Sequence, residues 1–242
     1  MVCRGLVRRE GGQSLLDGFD LVVPVGARLL ILSDPPESGS LLLRILAGLS
    51  RPDRGTVQLA GLTQHHAAEG WARRVGYVGP ATAIWSWLSP EEALDLAGRL
   101  AGLGPDDRRR RVEAAAQRYG LRADLRRSMR RGGPSVIQRT ALAAALIGDP
   151  EVLLFDEPLR AVDPAERERL LQVPGKRRTV LLASRLPASE SALIDHVMLL
   201  RGGRAVLHVP VSELQVRGLP LSASGVETLA ELSATLPVSL AG

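Results

Sequence analysis

The run Val152-Leu153-Leu154-Phe155, closed by Asp156-Glu157-Pro158, limits the folds open to this chain more than any other stretch. Four consecutive apolar residues read as a buried strand, too short for a helix by itself. Two carboxylates follow, and a proline stops the run. In open α/β sheets the chemistry sits just past the carboxyl ends of the strands. Asp156 suits a Mg²⁺ shell, because hard cations take carboxylate oxygen. Glu157 suits a base or water-positioning group in phosphoryl transfer. Two solvated acids at a strand end are the alternative, and the stretch alone leaves both open.

The neighbouring segments build an α/β chain around it. Residues 27–33 and 179–184 are strongly apolar strands of the kind found in buried parallel sheets. Between the first of these and a helix at residues 41–49, predicted to stop near Gly48, lies Asp34-Pro35-Pro36-Glu37-Ser38-Gly39-Ser40, read as a loop. Strand, loop and helix in that order make a phosphate-binding geometry worth testing. Phe19-Asp20-Leu21-Val22-Val23, Val57-Gln58-Leu59 and Val75-Gly76-Tyr77-Val78 are predicted strands, and residues 196–200 and 205–207 a hairpin around Gly202-Gly203. Ser89-Pro90-Glu91-Glu92 is a helix start with serine cap, proline first and glutamate third. That helix, a second over 106–119, and the approach to a third over 135–147 form a helical lobe, about residues 80–137, inserted into the α/β domain. The tail from Gly218 holds one short helix, over 226–234.

With 242 residues there is chain enough for one domain with an inserted lobe, and with aromatics at 3% its core is aliphatic. Cys3 is the single cysteine, so an internal disulfide framework is excluded. The N-terminal residues lack the apolar run of a signal peptide, and no segment approaches the ~18 apolar residues of a membrane span. The net charge is +5, and of 31 basic residues only Lys176 is lysine. No lysine is left to serve a phosphate loop elsewhere.

The order of elements resembles the ATP-binding subunit of ABC transporters, particularly of the bacterial exporter kind, over roughly residues 5–215. Leu42-Leu43-Arg44-Ile45-Leu46-Ala47-Gly48-Leu49 with Pro52-Asp53-Arg54-Gly55 is similar to that family's first helix and following turn. Gln138-Arg139 through Leu146-Ile147-Gly148-Asp149-Pro150 is similar to the helix before Walker B, Asp156-Glu157-Pro158 to Walker B with its catalytic glutamate, and Val162-Asp163-Pro164 to the D-loop. The resemblance implies a P-loop NTPase-like ABC ATPase fold: a mixed sheet with the helical lobe inserted into a domain of residues 1–215, followed by a tail of 216–242. It also implies ATP and Mg²⁺ as cofactors, with Ser40 and Asp156 at the metal positions. The partners implied are a transmembrane subunit and a second ABC ATPase chain, at the inner face of the cell membrane.

The active-site motifs depart from the family's. Where the Walker A pattern requires G-x-x-x-x-G-K-[ST], the two glycines fall at Ser33 and Ser38 and the lysine at Gly39, and only Ser40 survives. Pro36 brings no N–H to a phosphate. Asp34 and Glu37 place carboxylates where a polyanion would lie. One like-charge pair at ~5 Å costs about 3 kcal/mol at an effective dielectric near 20. Loss of the lysine costs a comparable amount, against about 8 kcal/mol for micromolar binding. The adenine-stacking aromatic falls at Glu10 and the Q-loop glutamine at Pro80. The LSGGQ segment falls on Gly132-Gly133-Pro134-Ser135, and the switch histidine on Arg185, which cannot accept a hydrogen bond. Asp163 alone could reach a partner's site.

The resemblance with these losses implies a subunit that has lost ATPase activity, Glu157 idle, acting structurally or as a regulator beside a competent chain. A divergent ATPase in which Arg44 or Arg185 replaces the lysine's charge is the alternative, Arg185 being preferred because Arg44 is committed to the helix, and a protein-binding scaffold that uses Trp85 and Trp87 is a further one. In the family that region faces the membrane subunit, so the two tryptophans suit an interface anchor, although core packing fits them equally. The arginine runs at 108–111, 126–127 and 130–131 read as solvated helix faces, with lipid headgroups or an acidic partner as second readings. No aromatics interleave them in sequence, and nucleic acid is not expected.

Overall fold

The computed structural model describes residues 1–66, 68–80, 85–173, 178–184 and 193–235. The elements run β1 (Val2–Glu10), β2 (Gln13–Val22), β3 (Arg28–Asp34), α1 (Pro36–Ala47), β4 (Arg54–Leu59), β5 (Leu62–Thr63), α2 (Ala68–Arg74) and β6 (Val75–Val78). Then come α3 (Pro90–Leu100), α4 (Pro105–Arg118), α5 (Met129–Leu146), β7 (Val152–Asp156), α6 (Pro164–Leu171) and β8 (Thr179–Ala183). The hairpin β9 (His196–Arg201) and β10 (Arg204–Pro210) leads into α7 (Val211–Val216) and α8 (Ala223–Thr235).

A six-stranded sheet in the order β10-β9-β3-β8-β7-β6 forms the centre. It is parallel from β9 to β6, with β10 added antiparallel at the edge, so the mixed sheet expected from sequence is what forms. Both faces are covered, and the alternation of side chains divides each strand between two cores. In β7, Val152 and Leu154 join the core that holds Leu41, Leu42 and Ile45 of α1. Leu153 and Phe155 join the core formed with α3, α4 and α5.

A smaller antiparallel sheet, β2-β1-β4-β5, flanks the α1 side. Within this sheet sequence reading placed strands at 19–23 and 57–59 and found none at 2–10. The register between β1 and β2 shifts three times, and Gly5 and Gly18 take left-handed φ values of 57° and 64°. These interruptions break the alternation that marks a strand.

The predicted start of α3 is realised as a capping box. Ser89 Oγ accepts from Glu92 N–H at 3.2 Å, and the Glu92 carboxylate accepts from Ser89 N–H at 2.8 Å. Helix α3 packs on α4 and α5 to make the lobe. Helix α5 starts at Met129 rather than at 135, but leaves helical geometry at Gly133 (φ 77°, ψ −175°). Pro134 cannot continue the ladder of the first turns, so it opens a second helical segment, matching the helix read from 135. From α8, Val226, Leu229 and Ala230 bury into the same core as Leu199 and Leu207.

Candidate functional site

The carboxyl ends of β3, β7 and β8 open onto a cavity of ≈ 240 Å³, lined among others by Ser33, Asp34, Pro36, Ser40, Pro80, Asp156 and Glu157. Strand β7 ends at Asp156, which is buried, and both carboxylate oxygens are in use. Ser40 Oγ donates to Oδ1 at 2.8 Å, and the Tyr77 hydroxyl, from the end of β6, donates to Oδ2 at 3.1 Å. Burial, and next to it the Asp156 charge, pushes the Tyr77 phenol well above its ordinary pKa, so it stays a neutral donor at any physiological pH. Glu157 lies in the left-handed region at φ 47°, with its N–H donating to Ala183 O at 2.9 Å. A non-glycine residue there is strained, and strain of this kind gathers where a fold fixes a side chain for a purpose.

The segment 34–40, expected as a loop, is mostly helix: α1 begins at Pro36, with only Pro35 between it and the end of β3. Proline at the first helical position has the right φ and loses no hydrogen bond, so Pro35-Pro36 starts a helix where glycines would have left a loop. Ser33 closes the corner. Its Oγ donates to Pro36 O and accepts from Gly39 N–H, both at 3.2 Å. A Cβ on Gly39 would lie 2.7 Å from that oxygen, closer than real Cβ contacts come. Ser38 is fully buried, and its hydroxyl finds no partner among the described residues.

The remaining predicted positions are dispersed. Glu10 is exposed at the end of β1, in ion pairs with Arg8 at 3.5 Å and Arg44 at 4.0 Å, away from the cavity. Pro80 reaches the cavity from the bend after β6. Gly132, Gly133, Pro134 and Ser135 sit at the break in α5 and do not line the cavity. Asp163 caps α6, accepting from Ala165 N–H at 3.0 Å. Arg185, like Lys176, lies outside the described residues. Trp85 and Trp87 are 52% and 61% exposed, with ring centroids 6.0 Å apart, so core packing is not their role.

Sequence reasoning missed Arg160, Ala223 and Glu227 at the cavity, and Tyr77 as the hydrogen-bond donor to Asp156. Tyr77 carried one signal, a hydroxyl near the end of an otherwise apolar strand. Glu227 carried none, because only the path of the tail brings it there. Among the described residues no group of three or more His, Cys, Asp or Glu is placed to hold a metal, and no helix is long and apolar enough to cross a membrane.

Residues 16–160 match the family model described as ABC transporter. The daunorubicin resistance ATP-binding protein DrrA3 of Streptomyces coeruleorubidus is 31% identical over 87% of this chain and 68% of its own. The aliphatic sulfonates import ATP-binding protein SsuB 1 of Mesorhizobium japonicum is 33% identical over 89% and 81%. In structure, the ATP-binding subunit of an ABC transporter superposes with a TM-score of 0.81 at 20% identity, covering 97% of this chain and 99% of that one. A dimeric ATP-binding cassette, MJ0796, in a post-hydrolysis state bound to ADP and Pi, gives 0.76 at 17%, over 87% and 98%.

Proposed function

The chain belongs to the ABC transporter family, and from that membership we propose that it serves a membrane transport complex as an ATP-binding-cassette subunit whose own site does not turn over ATP. The observation that carries this reading is the corner made by Ser33, Pro36 and Gly39. By resemblance, Gly39 stands where the family's phosphate loop has its lysine. Its N–H is engaged by Ser33 Oγ, and a side chain there collides with the same oxygen. A phosphate cradle needs free backbone N–H groups and a cation. Pro35 and Pro36 supply no N–H, while Asp34, Glu157 and Glu227 line the cavity with negative charge against Arg160. These residues do not suit a triphosphate. Ser40 and Asp156 are oxygen donors of the type Mg²⁺ accepts. We derive no hydrolytic step from the site.

In this reading the subunit pairs with a competent ATPase chain and a transmembrane subunit at the inner membrane face, and the exposed Trp85–Trp87 end is its membrane side. Relatives named for drug resistance and for import both align with it. The Ser40–Asp156 contact favours a second reading, a divergent working ATPase with Arg185 on the phosphates, because that contact survives without the rest of the loop.

Calorimetric titration of Mg²⁺-ATP into the purified chain, beside a turnover assay, tests the first reading. The expected result is no binding up to millimolar nucleotide and no turnover. Sustained hydrolysis abolished by Glu157→Gln would overturn it. Micromolar binding lost in Arg185→Ala would establish the second.

A further inference from the structure

The geometry points to a second ligand site in this molecule, for an organic anion with an apolar body, at the amino ends of β7 and β8. A cavity of ≈ 680 Å³ lies there, between α4, the end of α5 and the residues that lead into the two strands. It is separate from the nucleotide cavity, which opens at the carboxyl ends of the same strands. It is also remote from the Trp85–Trp87 end. Met129, in the first turn of α5, donates to Leu88 O beside those tryptophans at 2.9 Å, and the cavity begins only at Ala143, about 20 Å further along the helix. The sequence of α4 makes the space. Positions 111, 114, 115 and 118 share one helix face, and they hold Arg, Ala, Ala and Arg. The two short side chains leave an apolar gap in front of Ala143 and Leu146, with a guanidinium at each end.

Both arginines are positioned without being neutralised. Arg111 Nη1 donates to Ile147 O at 2.8 Å, at the negative end of α5. Arg118 donates to Gln172 O, and its guanidinium stands 5.7 Å from the centroid of the Tyr119 ring. Among the described residues neither makes an ion pair, since the acids around them are committed elsewhere: Glu113 to Arg122 at 2.7 Å, Asp149 to Arg178, and Glu151 to Arg74 at 3.5 Å. A guanidinium has five N–H donors, so each keeps several for a ligand oxygen, in an orientation fixed by the bond already made. The wall as a whole sets three arginines against two acids. Pockets for small organic molecules measure about 300–1,000 Å³ and are mostly apolar, with a few placed polar groups, which describes this one. A free inorganic anion would leave the apolar wall unused. A neutral apolar molecule would cover two guanidinium groups and offer them no acceptor. A body that lies on the alanine and leucine wall and ends in a sulfonate, carboxylate or phosphate uses both.

The test uses 8-anilinonaphthalene-1-sulfonate, whose emission rises in apolar surroundings, beside the uncharged N-phenyl-1-naphthylamine, which has the same ring body without the sulfonate. Titrated into the full chain, the sulfonate is expected to bind at one saturable site with micromolar affinity, and the neutral dye at least tenfold more weakly. Hydrogen bonds to a charged group are worth roughly one to two decades of affinity, so Arg111→Gln with Arg118→Gln weakens sulfonate binding on the order of tenfold to a hundredfold and leaves the neutral dye unchanged. Ala114→Phe, at an exposed position of α4, fills the gap and abolishes binding of both. Decanoate, a carboxylate with an acyl body, displaces the sulfonate, and inorganic phosphate at the same concentration does not. Far-ultraviolet circular dichroism and the melting temperature establish that the variants are folded. Equal binding of the two dyes, no saturable binding, or unchanged sulfonate binding in the arginine variant overturns the inference. Binding that persists in Ala114→Phe overturns it by placing the dye elsewhere, and displacement by phosphate but not by decanoate overturns it in favour of a plain anion site. None of these results depends on ATP turnover, so the proposed function stands or falls separately.

Discussion

Replacing Gly39 by alanine tests whether the corner between β3 and α1 is closed. In a helix interior glycine costs about 1 kcal/mol relative to alanine, so an open site would make Gly39→Ala stabilising by that amount. The structure predicts the reverse. The new Cβ would lie 2.7 Å from Ser33 Oγ, which is held by two hydrogen bonds, from Gly39 N–H and to Pro36 O. Moving the hydroxyl aside gives up both, at about 1 kcal/mol each. The net expectation is a destabilisation of about 1 kcal/mol. In a Ser33→Ala background the clash is gone and the next contacts, Ser33 Cβ at 3.4 Å and Ala183 Cβ at 3.6 Å, are tolerable. There Gly39→Ala becomes stabilising, so the double-mutant cycle shows a coupling of about 2 kcal/mol. Urea unfolding followed by tryptophan fluorescence measures all four corners of the cycle. Additive effects, or a single Gly39→Ala variant more stable than the parent, would show that the corner is roomy. The argument against a phosphate cradle at this position would then fail with it.

Other substitutions reach different parts of the fold. Trp71→Phe loses the indole N–H donated to Leu46 O at 2.9 Å, beside Gln64 at the end of α1, and lowers unfolding free energy by about 2 kcal/mol in the same urea assay. Tyr77→Phe leaves one oxygen of buried Asp156 without its donor, for a loss of about 1–3 kcal/mol; an unchanged midpoint would mean that water serves that oxygen equally well. Glu92 is held below its ordinary pKa first by Ser89 N–H and then by the Ser89 hydroxyl. A depressed carboxylate stabilises fully above its unfolded pKa of 4.5, and that contribution fades as pH falls through the folded value. Melting temperature against pH on the acid side should therefore fall less steeply in Glu92→Gln than in the parent.

Much of the fold could be read in the sequence because its signals are local. Continuous apolar runs marked β3, β7 and β8, and Ser89-Pro90-Glu91-Glu92 marked α3 with its cap. Gly48 marked the end of α1, where it sits at φ 82° and donates to the last carbonyls of the helix. The start of α1 was illegible for a physical reason: Pro35-Pro36 serves equally as a loop breaker or as a helix's first residue, and only the lack of glycines around it decides. Asp156 was found from a strand-end pattern, but its Tyr77 partner depends on the register of β6 against β7, which pairs Val78 with Phe155. The Trp85 and Arg130 neighbourhood is tertiary altogether. Arg130 N–H donates to Ser86 O at 2.8 Å, joining residues that no local rule connects, and so the arginines looked bare of aromatics.

The two-sided packing of β7 has an evolutionary consequence. Residues of even number along that strand face α1, and those of odd number face the lobe. Asp156 is even, so the same apolar contacts that seat Val152 and Leu154 deliver its carboxylate to Ser40. A one-residue slip would exchange both cores at once, at a cost no small domain survives. The acid is thus inherited with the scaffold. It holds its place under selection for folding alone, while the neighbouring segment 33–39 gives no side chain to either apolar core. In a lineage descended from this architecture, the aspartate records ancestry, and the corner it faces records use.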